Sequence, residues 1–424
     1  MTSSESLPGY RWVILAIVTI THIVAISLIW TAVSVLAPEV ATELAIPATE
    51  AVFAYSLISI MFVFLMLPGG MLADYFNVRW VVGIGALIAG IGTALRWGFP
   101  TYPGLIAGSI IAGIGMSLVN PNLIKTATEW FPSDQLGFAQ GVVFAGWGVG
   151  AGLAGLLSRD LLLDTVGSWE NVFLVYGAVT IVNAVVWLFL VRSPTAQEES
   201  NYEGLPGSQS NSGDSTTSII RDIISRRDSY FASLLTTCGF YTGVGFVGLF
   251  PTWASASPFS ISGALLGGSF FLIAVGSVMF SAISDYTGRK AVLYLTLTGQ
   301  ISGALIVGFA PSQLIFVLGA VLVSLCGGGL FGMFYVLPGE LPGMTPARAG
   351  TMAGVLLSIG QIGAVAGPVI GGRFLESGGI SASAVAISLP SLVGLLAIWQ
   401  LNLQSDNSTT PRNPNPSGDV VDSR

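Results

Sequence analysis

Charge is scarce in this sequence. Aspartate, glutamate, lysine and arginine make up 9% of its 424 residues, where a soluble protein carries about 25%. Lysine occurs only at positions 125 and 290, and histidine only at His22. The net charge of −7 is unsuited to nucleic acid, so no nucleic-acid partner is expected. Cys238 and Cys326 are the only cysteines and lie far apart, which gives neither a disulfide framework nor a metal site. One histidine, no His-Glu-x-x-His run and no clustered acids leave little for catalysis. The chain is therefore expected not to be an enzyme and to need no cofactor; a membrane enzyme is the weaker reading.

What is present in quantity is apolar side chain: 52% of the residues, with a mean hydropathy of +0.78. Crossing a hydrocarbon core about 30 Å thick takes about 20 apolar residues in a helix. Runs that meet this length cover 11–37, 50–73, 80–98, 104–127, 136–158, 169–191, 230–252, 262–283, 291–311, 313–338, 348–374 and 381–402. They are too long and too evenly apolar for barrel strands of about 10 residues, and helices are the other way to satisfy a backbone in lipid. An all-α membrane protein with twelve transmembrane helices follows, its first run read as a retained helix because no small-residue cleavage pattern precedes Pro38.

Placing the amino terminus in the cytoplasm puts twelve of the fifteen lysines and arginines inside, leaving Arg96, Arg159 and Arg373 outside. That is the asymmetry of the positive-inside rule, and an even number of spans brings both termini to the cytoplasmic side of the cell membrane. The stretch "GLPGSQSNSGDSTTS" cannot build a core and reads as a linker. The expected organisation is a six-helix unit at 1–192, a cytoplasmic linker at 193–228, a second six-helix unit at 229–404 and a disordered tail at 405–424.

The two halves repeat. "GGMLADYFNVRW" and "SAISDYTGRKAV" each follow the second span of a half, and both Asp74 to Asp285 and Glu129 to Glu340 are separated by 211 residues. Such a recurrence marks an internal structural repeat. A carboxylate at a helix end can meet the positive end of a neighbouring helix or an arginine. Asp74, Arg79, Glu129, Asp285, Arg289, Glu340 and Arg348 are therefore expected to form a cytoplasmic gate that joins the halves and releases them; the plainer alternative is solvated loop charge.

"SAISDYTGRK" resembles the loop signature of the major facilitator superfamily, with Ser281 where glycine is usual, and "GGMLADYFNVR" is a degenerate copy of it. The resemblance covers nearly the whole chain. It implies two six-helix bundles, a central cavity and alternating access. Within the superfamily, "GTALRWGFP" and "IAGIGMSLVNPNLIKTATEWFP" resemble the cyanate permease group and its nitrate/nitrite-porter relatives. The arginines that nitrate porters carry in helices 2 and 8 are missing here, which disfavours nitrate itself.

Polar groups at mid-depth are functional candidates because lipid penalises them. His22 near the middle of the first helix titrates near neutral pH in its ordinary state, which suits proton coupling; the alternative is a neutral imidazole bonded between helices. "VNPNLIK" in the fourth helix offers Asn120, Asn122 and Lys125 around Pro121, whose missing N–H is expected to kink the helix and free carbonyls for the cavity. Lys125 is either a positive charge facing an anion or an interfacial lysine paired with Glu129. Trp30, Tyr241, Gln300, Tyr335 and Gln361 complete the substrate-binding candidates, while Arg96 reads as an anchor at the outer interface. The expected function is secondary transport of a small organic or inorganic anion, with the bilayer, the solute and protons as partners and a monomeric state. Efflux of an apolar or cationic compound and a transport-dead solute receptor are the competing readings.

Overall fold

The computed structural model describes residues 9–132, 135–194, 221–223, 225–342 and 346–403, apart from the side chains of Asp74 and of 346–350. The linker segment 195–220, the tail and the side chains of Asp74 and Arg348 thus lie outside the described residues. All regular structure among the described residues is helical. The spanning helices are α1 (Tyr10–Val35), α2 (Ala48–Tyr75), α3 (Val78–Gly98), α4 (Tyr102–Trp130), α5 (Leu136–Val166), α6 (Trp169–Leu190), α7 (Arg227–Ala256), α8 (Gly263–Thr287), α9 (Arg289–Gly308) and α10 (Gln313–Glu340).

The remaining apolar segment, Thr351–Gln400, is 50 residues long and makes two crossings. Gly379 adopts φ +71° and ψ −168°, a positive-φ conformation that glycine adopts readily and that breaks the helix. Ser383 Oγ then donates to the Gly371 carbonyl at 2.6 Å. In a straight helix these residues would stand about 18 Å apart, so the chain doubles back. The two arms are α11 (346–378) and α12 (380–400), and twelve crossings result.

Two seams join the halves: α5 packs along α8, and α2 along α11. The repeat exchanges these pairs, since α8 and α11 stand in the second half where α2 and α5 stand in the first. Both seams close at the face away from the amino end of α1. A Cβ on Gly148 would lie 2.3 Å from Ala274 N, and one on Gly155 2.6 Å from Gly267 N. At the other end of the same helix, a Cβ on Gly137 or Gly141 would meet nothing within 4 Å among the described residues. Gly339 of α10 and Gly354 of α11 are equally open. Among the described residues, the halves are shut at this far face and open at the amino face.

Two local features depart from the apolar runs. α1 turns π-helical over Ile23–Leu28, directly after His22 and where Gly150 of α5 presses on Ile23 O and Ser27; π-turns are frequent at functional sites. α5 runs beyond residue 158 through a second π-turn, Ser158–Leu163. Its extra turn is held by an ion pair of Arg159 Nε with Glu39 at 2.7 Å.

Candidate functional site

A cavity with about 620 Å³ of empty space, part of it continuous with solvent, lies between the halves. Both halves build it: α1 supplies His22 and Trp30, α4 Asn120, α5 Phe144 and Trp147, α7 Phe240, α10 Phe331 and Tyr335, and α11 Gln361. Its lining includes six aromatic side chains and no aspartate, glutamate, lysine or arginine. The polar groups are few and spread around apolar walls, as in sites for small organic molecules.

Stacked rings tie the halves across this cavity. Phe144 lies on Tyr335 with centroids 3.4 Å apart, and Trp147 on Phe331 at 5.6 Å. Trp30 packs on Tyr55 and donates its Nε1–H to the Tyr55 carbonyl at 3.2 Å. Trp147 reaches its place because its own carbonyl accepts from Ser27 Oγ, which pins α5 to the π-turn of α1.

His22 is buried, with Nδ1 2.6 Å from the Val143 carbonyl. A carbonyl only accepts, so Nδ1 carries the proton and Nε2 is the nitrogen left for a second partner. The Phe144 ring stands nearly perpendicular to the imidazole, centroids 6.0 Å apart. Among the lining residues, His22 alone can take on positive charge by gaining a proton.

Of the nine candidates read from the sequence, the cavity gathers His22, Trp30, Asn120, Tyr335 and Gln361. Four lie elsewhere. Asn122 is fully buried and donates to the carbonyls of Gly69 and Leu118 at 3.0 and 2.8 Å. Tyr241 bonds its hydroxyl to the Ala386 carbonyl at 3.3 Å and faces α12. Gln300 sits behind α7 and α10, and Lys125 is half-buried on α4 outside the lining. Pro121 leaves α4 continuous. The carbonyl it deprives of a partner, that of Ser117, meets Gly69 of α2, where a Cβ would lie 2.5 Å from it, rather than facing the cavity.

Phe144, Trp147, Phe240 and Phe331 were not singled out from the sequence. Their signal is spacing: Phe144 and Trp147 are the bulky residues of the small-residue run "GVVFAGWGVGAG", and Phe331 precedes Tyr335 by one turn. Arg96 is not an interfacial anchor. It is completely buried, donates from Nη2 to Ser109 Oγ at 3.1 Å and lies 4.6 Å from the Phe173 ring centroid, because α4 and α6 close over the last turn of α3.

Around Arg289 and Arg79, the charged residues of the amino face find their partners within one half. Arg289 pairs with Asp285 at 2.7 Å and with Glu340 at 3.2 Å. Arg79 donates to the Leu188 carbonyl and stands over Trp80. None of these pairs crosses between the halves, as suits a face that stands open. Half-buried Glu129 occupies the α4 position that Glu340 occupies in α10.

The sequence profile of the Major Facilitator Superfamily matches residues 15–342. The chain is 27% identical over 347 residues to the 3-(3-hydroxy-phenyl)propionate transporter of Escherichia coli K12, covering 79% of this chain and 80% of that one. To the galacturonate transporter of Dickeya chrysanthemi it is 24% identical over 204 residues, 46% of this chain and 56% of the other. A crystal structure of a bacterial homologue of the human lysosomal transporter Spinster, inward-facing and unoccupied, superposes with a TM-score of 0.71 at 16% identity, over 93% of this chain and 95% of that one. With the profile spanning most of its length and that fold shared along nearly all of it, the chain belongs to the major facilitator superfamily.

Proposed function

We propose that the protein is a secondary transporter that carries an organic anion with an apolar, ring-like body by alternating access, taking up one proton on His22 with the anion. The observation that carries this reading is the cavity lining, with six aromatic side chains, no fixed charge and one imidazole. An ionised carboxylate in such a site costs a great deal without a countercharge. His22 supplies one when Nε2 is protonated, so the loaded site becomes neutral as anion and proton enter together. The shut far face and open amino face are one of the two states such a cycle needs, with the amino face on the cytoplasmic side of the cell membrane. In that cycle 1–192 rocks against 229–404, the charged residues of the amino face re-pairing across the halves when it closes.

The relatives support an acidic solute, one being named for a hydroxyphenyl-propionate and another for galacturonate. The local likeness to the cyanate permease group speaks for a smaller inorganic anion. The aromatic walls favour the larger organic one.

The test is reconstitution of purified protein in liposomes holding a pH-sensitive dye, with 3-(3-hydroxyphenyl)propionate, galacturonate, cyanate, nitrite and neutral controls added in turn. The expected result is a lumenal pH change with the aromatic acid, lost in His22→Gln while counterflow of the labelled acid persists. A pH change driven by an organic cation, or one with cyanate alone, would sink the reading.

A further inference from the structure

Behind the cavity wall, Gln300 of α9 is completely buried, and among the described residues neither its Oε1 nor its Nε2 has a hydrogen-bond partner. Buried amides are rarely left unmet, least of all on both atoms. The surrounding chain makes room for this one. A Cβ on Gly243 would lie 2.5 Å from the Gln300 Nε2, and one on Gly327 would lie 3.0 Å from it. Both glycines belong to helix faces that line the cavity: Gly243 stands beside Val244 on α7, one turn from Phe240, and Gly327 one turn before Phe331 on α10. The Phe331 ring meets the same space, its Cε2 3.3 Å from the Gly243 Cβ position.

We infer that Gln300 is a polar subsite of the solute cavity, shuttered by Phe331, that receives a neutral hydroxyl of the solute when that ring turns aside. This rests on the transport reading above. A carboxamide presents donors and an acceptor together, and a hydroxyl uses one of each. An ionised carboxylate is a poor guest there, because burial penalises an unpaired charge. The carboxylate end belongs with His22, and the hydroxyl end with Gln300. The two glycines serve the amide: any side chain at 243 or 327 would displace it.

The experiment compares 3-(3-hydroxyphenyl)propionate with 3-phenylpropionate as competitors of uptake in proteoliposomes, for wild type and Gln300→Leu. The wild type is expected to favour the hydroxylated acid by roughly 2- to 10-fold, the worth of one net hydrogen bond. Gln300→Leu is expected to bind both alike, with its thermal midpoint unchanged or raised because an unmet amide has gone. Retention of the preference in Gln300→Leu overturns the subsite, as does a lowered midpoint with unchanged selectivity. If the wild type moves neither acid, the transport reading fails by itself and the subsite is judged by access. In a background of Cys238→Ala and Cys326→Ala, Gln300→Cys combined with Phe331→Ala is expected to react with a hydrophilic thiol reagent, and no reaction overturns it.

Discussion

The carboxylate of Asp160, late in α5 of the first half, caps the start of α8 in the second half at Gly263. Gly263 N donates to Oδ1 at 2.9 Å and Ala264 N to Oδ2 at 3.0 Å. The first N–H groups of a helix have no partner within it, and an acid there meets both the donors and the positive end of the dipole. Ser262 Oγ takes the next donor, Leu265 N. One half thus completes a helix of the other, only while the far face is shut.

Asp160→Ala is therefore expected to shift the balance toward a far-face-open state. A lost cap is worth about 0.5–2 kcal/mol, or roughly a 2- to 30-fold change in the ratio of states. Electron–electron distance measurements between spin labels at Thr165 and Ser260 read this directly. A longer-distance population that grows in Asp160→Ala and less in Asp160→Asn supports the latch; identical distributions in all three count against it.

Two glycines of similar crowding separate motion from folding. Gly148 faces α8 across the seam, where a new Cβ would lie 2.3 Å from Ala274 N; Gly276 faces α10 within the second half, 1.9 Å from the Leu325 carbonyl. Overpacking costs about 1–3 kcal/mol at either site, but the seam can relieve it by opening. Gly148→Ala is expected to lengthen the far-face distances with little loss of thermal midpoint. Gly276→Ala is expected to lower the midpoint and leave the distances alone. The same outcome for both would mean that the seam does not move independently of the bundles.

Arg96 and Phe173 hold α3 to α6 inside the first half. Gly108 leaves the room, since a Cβ there would lie 2.8 Å from the Arg96 Cγ. A desolvated cation over a ring is worth about 0.5–2 kcal/mol. A double-mutant cycle with Arg96→Met and Phe173→Leu isolates that coupling from lost packing. The expected coupling is favourable; additive losses of stability would assign Arg96 to packing alone.

The spans were legible because lipid imposes a length and an apolar composition that few other environments impose. The hairpin of α11 and α12 was legible too, since the apolar runs stop either side of Gly379. The cavity was legible only in part. His22 and Asn120 stood out because lipid penalises polar groups, whereas Phe144 and Phe331 look in the sequence like any ring that meets lipid tails. Pro121 signalled a lost hydrogen bond but not which neighbour would take the freed carbonyl, and Gly69 of another helix decides that. Arg96 showed its place at a helix end, while its burial depends on how α4 and α6 close over it.

Phe144 and Tyr335 are nearer the amino face than Trp147 and Phe331, because α5 runs away from that face and α10 toward it. Their stack is thus the part of the cavity next to the open side, and it joins the halves through one residue from each. A solute ring can enter between them only if the centroids part to roughly 7 Å, the outer limit for paired aromatics. The ring then replaces one contact with two and bridges the halves. Phe144→Ala removes one of these faces and is expected to raise KM for an aromatic acid by roughly 2- to 13-fold, the equivalent of about 0.5–1.5 kcal/mol. Phe144→Tyr keeps the face and is expected to keep KM. Galacturonate offers no aromatic ring and serves as the control, since Phe144→Ala should leave competition by it unchanged. Equal losses for both solutes would show that Phe144 acts by shaping the bundle, and the stack would then be packing rather than a seat for the solute.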